Sequence, residues 1–346
     1  MKRFIPLLLT VLFLIFSMQA FAARENVFYI LHSKQSKELN VYLDIINKNH
    51  HAINILISQA FQIDDAGNLT GYLNRELVTI TKNKSIKLMA MITNKGFDQE
   101  KLHRFLSSNA AQQKAMQSII AACKQNNLYG VQFDFEKISV IDKLALTKFF
   151  RLAAKQLHHQ GYRVSFAIIP AFPEMMQHSS FLKKTWQHWS GAYDLKALGE
   201  AGDFITIMAY NQHPDGTIPG PNASIRYTQA AILHALQFIP ADKLSLGIPA
   251  YSLYWYSGHT SIAMRQAEIS YKDAIQLIRT HHSQIVWSDA DKIHYSRYEH
   301  NWLNEYVYLE DKHSFKAKQD LAKLYGLRGI SVFRIGTEDD GIWKKL

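Results

Sequence analysis

The sequence predicts an α/β protein built as a closed (β/α)8 TIM barrel, with a small α+β insertion between its seventh and eighth strands. Three observations carry that expectation. Eight short apolar runs recur along the chain, each followed by a turn and a longer amphipathic stretch, which is the alternation that builds parallel sheets from βαβ units. No GxGxxG follows the first run, so an open dinucleotide-binding sheet has no support. The 346 residues allow two domains of average size or one large one, and barrels of this type commonly run past about 250 residues as a single unit.

In chain order the runs are Val27–Leu31, Ile53–Phe61, Ile86–Thr93, Val131–Glu136, Arg163–Pro170, Phe204–Tyr210, Leu244–Tyr251 and Gly329–Ile335. Between the third and fourth, Ala110–Asn126 places Met116, Ile119, Ile120 and Cys123 on one helical stripe. Cys123, the only cysteine, is then a core residue; it excludes an intramolecular disulfide and a CxxC metal cluster. The seventh and eighth runs are too far apart for one crossover, so an insertion is expected over about 252–325. On the last βα loop it would rise from the carboxyl-end rim, where barrels of this fold place their active sites.

Residues 1–22 read as an export signal and 23–346 as the mature domain. Lys2 and Arg3 precede an apolar run from Phe4 to Met18, and Ala20-Phe21-Ala22 supplies the small-x-small cleavage pattern. The run is short of the roughly 20 residues that span a bilayer, so no stable membrane insertion is expected after cleavage, and the protein is expected to be periplasmic or secreted. Losing Lys2 and Arg3 takes 39 basic against 29 acidic residues to 37 against 29, a formal charge of +8 instead of +10. That surplus suits an anionic polymer such as a cell wall; no motif for nucleic acid accompanies it. A monomer is expected. The 16 histidines include adjacent pairs but no HExxH, so neither metal nor cofactor is expected.

The chemistry is concentrated in Tyr129-Gly130-Val131-Gln132-Phe133-Asp134-Phe135-Glu136. Strand alternation puts Gln132, Asp134 and Glu136 on the face that looks into the barrel and Val131, Phe133 and Phe135 on the face that meets the helices. Two acids inside a barrel are costly unless paired, hydrogen-bonded or protonated, and close carboxylates leave one protonated and able to act as a general acid. The octapeptide alone fits acids that cap the next helix equally well. A second segment, Met208-Ala209-Tyr210-Asn211, puts a phenol at the same rim two strands along.

Together these segments resemble glycoside hydrolase family 18, the chitinase-like hydrolases of N-acetylglucosamine polymers. The motif acid is Glu136, the aspartate before it Asp134, the tyrosine Tyr210. Met91-Ile92-Thr93-Asn94 with Gly96-Phe97, Tyr193-Asp194, Gly220-Pro221, Lys243 through Tyr251, Glu310-Asp311 and Gly329-Ile330-Ser331 are similar to the bacterial branch of spore-cortex and cell-wall lytic N-acetylglucosaminidases. The resemblance runs from about residue 27 to Trp343.

It implies substrate-assisted retaining catalysis, in which the substrate's acetamido oxygen attacks the anomeric carbon and one glutamate suffices. Glu136 would be acid and then base, Asp134 would orient the acetamido N–H, and Tyr210 would hold the acetamido oxygen. Gln132, Met208, Asn211, Phe333, Asn94, Tyr251 and Trp255 are the candidate substrate contacts; for the last three, ordinary rim packing is an equal expectation. Departures from the family pattern are Gln132 for an acid, Asn211 for an acid, Phe333 for the tryptophan under the sugar, and Ser252 for a glycine. Gln132 is expected to hydrogen-bond Asp134 without sharing a proton. Peptidoglycan is favoured over chitin as the polymer. The rival expectation is a catalytically silent carbohydrate-binding barrel, a class that typically lacks the glutamate present here.

Overall fold

The computed structural model describes residues 24–31, 36–170, 180–257 and 264–346; the proposed export signal lies outside them. Eight parallel strands close into the barrel: β1 (Glu25–Ile30), β2 (Ile55–Ile63), β4 (Lys87–Asn94), β5 (Gly130–Asp134), β6 (Arg163–Ile168), β7 (Phe204–Ile207), β8 (Leu244–Pro249) and β14 (Gly329–Phe333). β1 pairs with β14 on one side and β2 on the other, which completes the ring. A short strand β3 (Leu69–Gly71) runs antiparallel along the end of β2.

Burial on both faces explains the near-continuous apolar runs. Outward-facing Phe133 and Phe135 pack against Phe149 of the helix Lys143–His159, with ring centroids 5.5 and 6.0 Å apart. Inward-facing Val27, Tyr29, Ile55, Ile57, Met89, Met91 and Phe204 form a separate apolar cluster in the barrel interior. The helix expected at 110–126 spans Asn109–Gln125, and burial in its core face pushes the Cys123 thiol up to about 12, an inert residue.

Five strands, β5, β6, β7, β8 and β14, end two or three residues sooner than expected, and for two of them this bears on the site. β5 ends at Asp134 and β7 at Ile207, so Glu136 and Tyr210 sit just past the last ladder bonds, on loops at the carboxyl-end rim.

The insertion is a five-stranded antiparallel sheet of order β10-β9-β13-β12-β11, from β9 (Ser252–Ser257), β10 (Met264–Ile269), β11 (Val286–Ser288), β12 (Ile293–His300) and β13 (Leu303–Leu309). The helix Tyr271–Thr280 covers one of its faces through Ala274 and Ile278. The sheet ends at Leu309, short of the 325 expected from spacing, because the helix Lys312–Leu324 buries Phe315, Leu321 and Ala322 in the main barrel core and is the crossover to β14. At the neck, the backbone N–H of Glu310 donates to the Ser252 hydroxyl at 3.1 Å, so the serine that stands where glycine is usual ties exit strand to entry strand. Glu310 also receives Lys318 at 2.8 Å, a pair with side chains 2% and 1% exposed.

Candidate active site

The site is built from neutral polar groups upward. In the middle of the barrel, Tyr29 donates to Gln132 Oε1 at 2.8 Å, and Gln132 Nε2 donates to Ser165 at 2.9 Å and Thr206 at 3.2 Å. Thr206 and Ser245 are in turn bonded to Ser331, at 3.1 and 2.7 Å. This layer satisfies every partner that a buried amide needs. It corrects the expectation for Gln132 twice over: the side chain is spent on Tyr29, Ser165 and Thr206, and it neither faces a sugar nor bonds Asp134.

Above that layer lies Asp134, buried, with Oδ1 lacking a hydrogen-bond partner among the described residues. Burial, reinforced by the Glu136 carboxyl nearby, raises its pKa well above the ordinary aspartate value. Glu136 is half-buried, and burial raises its pKa too, with the Lys137 ammonium working the other way. The two titrate as a pair that favours holding a proton.

Backbone geometry fixes where Glu136 points. Its N–H donates to Asn94 Oδ1 at 3.0 Å, and its carbonyl accepts from Asn94 Nδ2 at 3.2 Å. The next residue, Lys137, is held in the left-handed region at φ 55°, with its carbonyl accepting from Gln99 Nε2 at 2.9 Å. Beneath the acids, the buried Tyr193 donates to the Phe135 carbonyl at 2.8 Å.

The aromatic side of the site converges on Phe333. Its ring is flanked by Tyr29 at 5.9 Å, Tyr210 at 5.8 Å and Tyr251 at 6.2 Å between centroids. Burial raises the Tyr210 pKa well above the usual phenol value, so its hydroxyl stays a neutral donor. Gly247 makes room for it: a Cβ there would meet the Ile207 carbonyl oxygen at 2.5 Å and the Tyr210 ring at 3.1 Å. Asn211, at φ 56° and exposed, accepts the Tyr251 hydroxyl at 2.6 Å. Behind Phe333, the Arg334 guanidinium lies 5.9 Å from its ring and pairs with Glu268 of β10 at 3.3 Å, which joins the rim to the insertion.

Asp134 and Glu136 thus lie together at the carboxyl end of one barrel strand, with Tyr210 and Phe333 stacked at the same rim. The profile of glycosyl hydrolases family 18 matches residues 21–338.

The chain belongs to glycosyl hydrolase family 18.

It is a glycosidase of that family, and its relatives agree. It is 25% identical to the Bacillus subtilis glycosylase YvbX over 87% of this chain and 86% of that protein. With the cortical fragment-lytic enzyme of Bacillus subtilis it shares 27% identity over 82% of this chain and 65% of that enzyme, less than two thirds of its length. Among solved structures it superposes on a chitinase from Chromobacterium violaceum with a TM-score of 0.80 at 22% identity, covering 93% of this chain and 97% of the other. The spore cortex-lytic enzyme SleL of Bacillus cereus gives 0.81 at 23%, covering 93% and 73%. At these identities the structures share a fold.

Within this family 18 barrel the structure gathers Asp134, Glu136, Tyr210, Phe333, Tyr251 and Asn211 at one rim, with half-buried Met208 beside them. Besides Gln132, two further expected sugar contacts are placed otherwise. Trp255 is fully buried, its indole N–H donating to the Gly220 carbonyl at 2.9 Å, so it is packing under the 211–222 loop. Asn94 is buried, and its side-chain amide is taken up by the Glu136 backbone. Sequence reasoning missed Tyr29 and Trp189, and quoted Tyr193 only within a family motif, without a place at the site. Trp189 has the Lys137 ammonium 5.6 Å from its ring, and Gln99 Nε2 ties the two backbones by donating to both the Lys137 and His188 carbonyls. A tyrosine inside an otherwise apolar first strand was the available signal for Tyr29.

Proposed function

We propose that this family 18 glycosidase is exported and cleaves β-1,4 bonds after N-acetylglucosamine, with peptidoglycan as its polymer, by the substrate-assisted retaining route. Glu136 protonates the leaving oxygen, then as a base activates the water that opens the oxazolinium intermediate. Asp134 receives the acetamido N–H and offsets its developing positive charge, while the Tyr210 hydroxyl holds the acetamido oxygen for attack. Phe333 floors the sugar. Asn94 fixes the Glu136 backbone, and the Gln132 layer keeps the barrel beneath Asp134 neutral, so no third carboxylate competes for the proton.

The observation that carries this reading is the unpartnered, buried Oδ1 of Asp134 beside the raised carboxyl of Glu136. A silent sugar-binding barrel has no use for a pair held at such cost. Export rests on the leader pattern in residues 1–22, and no helix among the described residues is long and apolar enough to cross a membrane. The relatives named for cortex lysis and the positive charge of the chain favour peptidoglycan over chitin.

The test is turnover of a chromogenic N-acetylglucosamine oligomer, purified peptidoglycan and chitin by the parent chain and by Glu136→Gln. Loss of the general acid should cost at least about a hundredfold on any substrate whose leaving group needs protonation. Binding of polymer without turnover by the parent would overturn the hydrolase reading in favour of a lectin.

A further inference from the structure

Strands β12 and β13 are joined by a two-residue loop, Asn301-Trp302, flanked by the pair His300 and Leu303. Both loop residues are left-handed, with φ of 50° and 66°, which is the type I′ turn that strongly favours Asn-Gly. Tryptophan occupies the glycine position, and it is 92% exposed. It therefore carries two costs at once, a backbone conformation unfavourable to side chains and a large apolar surface left in water.

The surroundings say what that surface meets. Tyr298, Val307 and Leu309 pack on the helix Tyr271–Thr280, so by strand alternation Arg297, Glu299, Asn304 and Tyr306 share the opposite face. Arg297, Glu299 and Asn304 are exposed, and Arg297 Nε donates to Asn304 Oδ1 at 2.9 Å. A planar aromatic exposed at the tip of a hairpin whose outer face carries guanidinium, carboxylate and amide groups offers the chemistry that recognises a pyranose ring, apolar on its face and hydroxylated at its edge. This face is joined to the site through a shared core: Tyr306 and Tyr308 pack on the buried cluster of Tyr251, Leu253 and Trp255, on which Phe333 packs as well. In the register, Tyr306 lies opposite Trp255 and Leu303 is three residues farther out, about 10 Å beyond it.

We propose that the β12–β13 hairpin tip is a second glycan-binding site, at which Trp302 stacks on an N-acetylhexosamine ring of the polymer whose reacting bond lies over Phe333. The proposal rests on the reading of the substrate given above. The site holds insoluble polymer and takes no part in the bond cleavage.

The experiment uses the full chain carrying Glu136→Gln, so that nothing is digested, and measures depletion from solution by purified peptidoglycan and, separately, by insoluble chitin. Trp302→Gly in that background should weaken binding to one or both by about two- to tenfold, and Trp302→Phe should retain most of it. In the active chain, Trp302→Gly should hydrolyse a soluble chromogenic oligomer at the parental rate and unfold at the same or a higher temperature, because glycine suits the turn. Equal polymer binding by the Gly variant, with turnover intact, overturns the hairpin site and leaves the glycosidase reading standing. A parent that hydrolyses no N-acetylglucosamine substrate yet shows Trp302-dependent binding overturns the substrate reading and leaves the hairpin site standing. Binding to anionic lipid vesicles that is lost in the Gly variant while polymer binding persists also overturns the proposal, and assigns the tip to a membrane surface.

Discussion

Asn94 grips Glu136 from both sides of its own residue, donating to the carbonyl and accepting from the N–H, at 3.2 and 3.0 Å. The clamp joins the end of β4 to the loop after β5 and leaves the carboxyl group free.

Asn94→Ala should therefore lower kcat by about ten- to a hundredfold with little change in KM, since the acid is misplaced while the sugar contacts persist. Steady-state kinetics on a soluble oligomer checks this. A rise in KM at constant kcat would instead make Asn94 a substrate contact.

The acid pair also sets a pH dependence of stability. Burial raises the pKa of both Asp134 and Glu136 in the folded chain. Their contribution is then fully present below the unfolded carboxyl values, about 4, and is lost as pH rises through the folded values. Asp134→Asn and Glu136→Gln cannot ionise, so each should gain thermal stability relative to the parent on going from about pH 4.5 to pH 8, while losing activity. Unfolding scans at both pH values decide it; a gain that shrinks toward pH 8 would contradict the assigned direction.

Phe333 stacks on Tyr210 with only 17° between the ring planes. Phe333→Leu keeps apolar volume but removes the π face, and should reduce kcat/KM by about tenfold, chiefly through KM. The circular dichroism spectrum should stay parental. If kcat alone falls, Phe333 acts by orienting Tyr210.

The pair Glu310–Lys318 is buried at the neck of the insertion. Lys318→Met strands a carboxylate whose pKa burial already raises, and should cost about 3–5 kcal/mol in denaturant unfolding. Adding Glu310→Met should recover most of that loss. A single variant as stable as the parent would show that the pair contributes nothing there.

Much of the barrel was legible because a strand buried on both faces writes its period in side-chain type: Phe133 and Phe135 against Gln132 and Asp134 needed no structure to be assigned to opposite faces. What each polar residue touches was not. Gln132 and Asp134 are two residues apart on one face, yet the amide is claimed by Tyr29 and Thr206, more than seventy residues away in sequence. Trp255 read as a rim aromatic because nothing local announces that the 211–222 loop folds over it. The end of the insertion was hidden for a related reason: the helix Lys312–Leu324 has the same amphipathic pattern whether it covers the added sheet or the barrel, and only contact with the main core decides.

The ring closure of β1 against β14 has a consequence for how the chain comes to be folded. Glu25 is paired with Gly329, and Phe28 stacks on Trp343 at 4.6 Å. Seven barrel strands leave the ribosome before the eighth exists, and until it arrives β1 and β8 are bare edges open to pairing with another molecule. Contacts separated by some three hundred positions form last and slowly. The nascent chain thus passes through a long interval in which it has to be kept from aggregating, and a holdase chaperone should raise the yield of folded protein more than it would for a helical bundle of equal length.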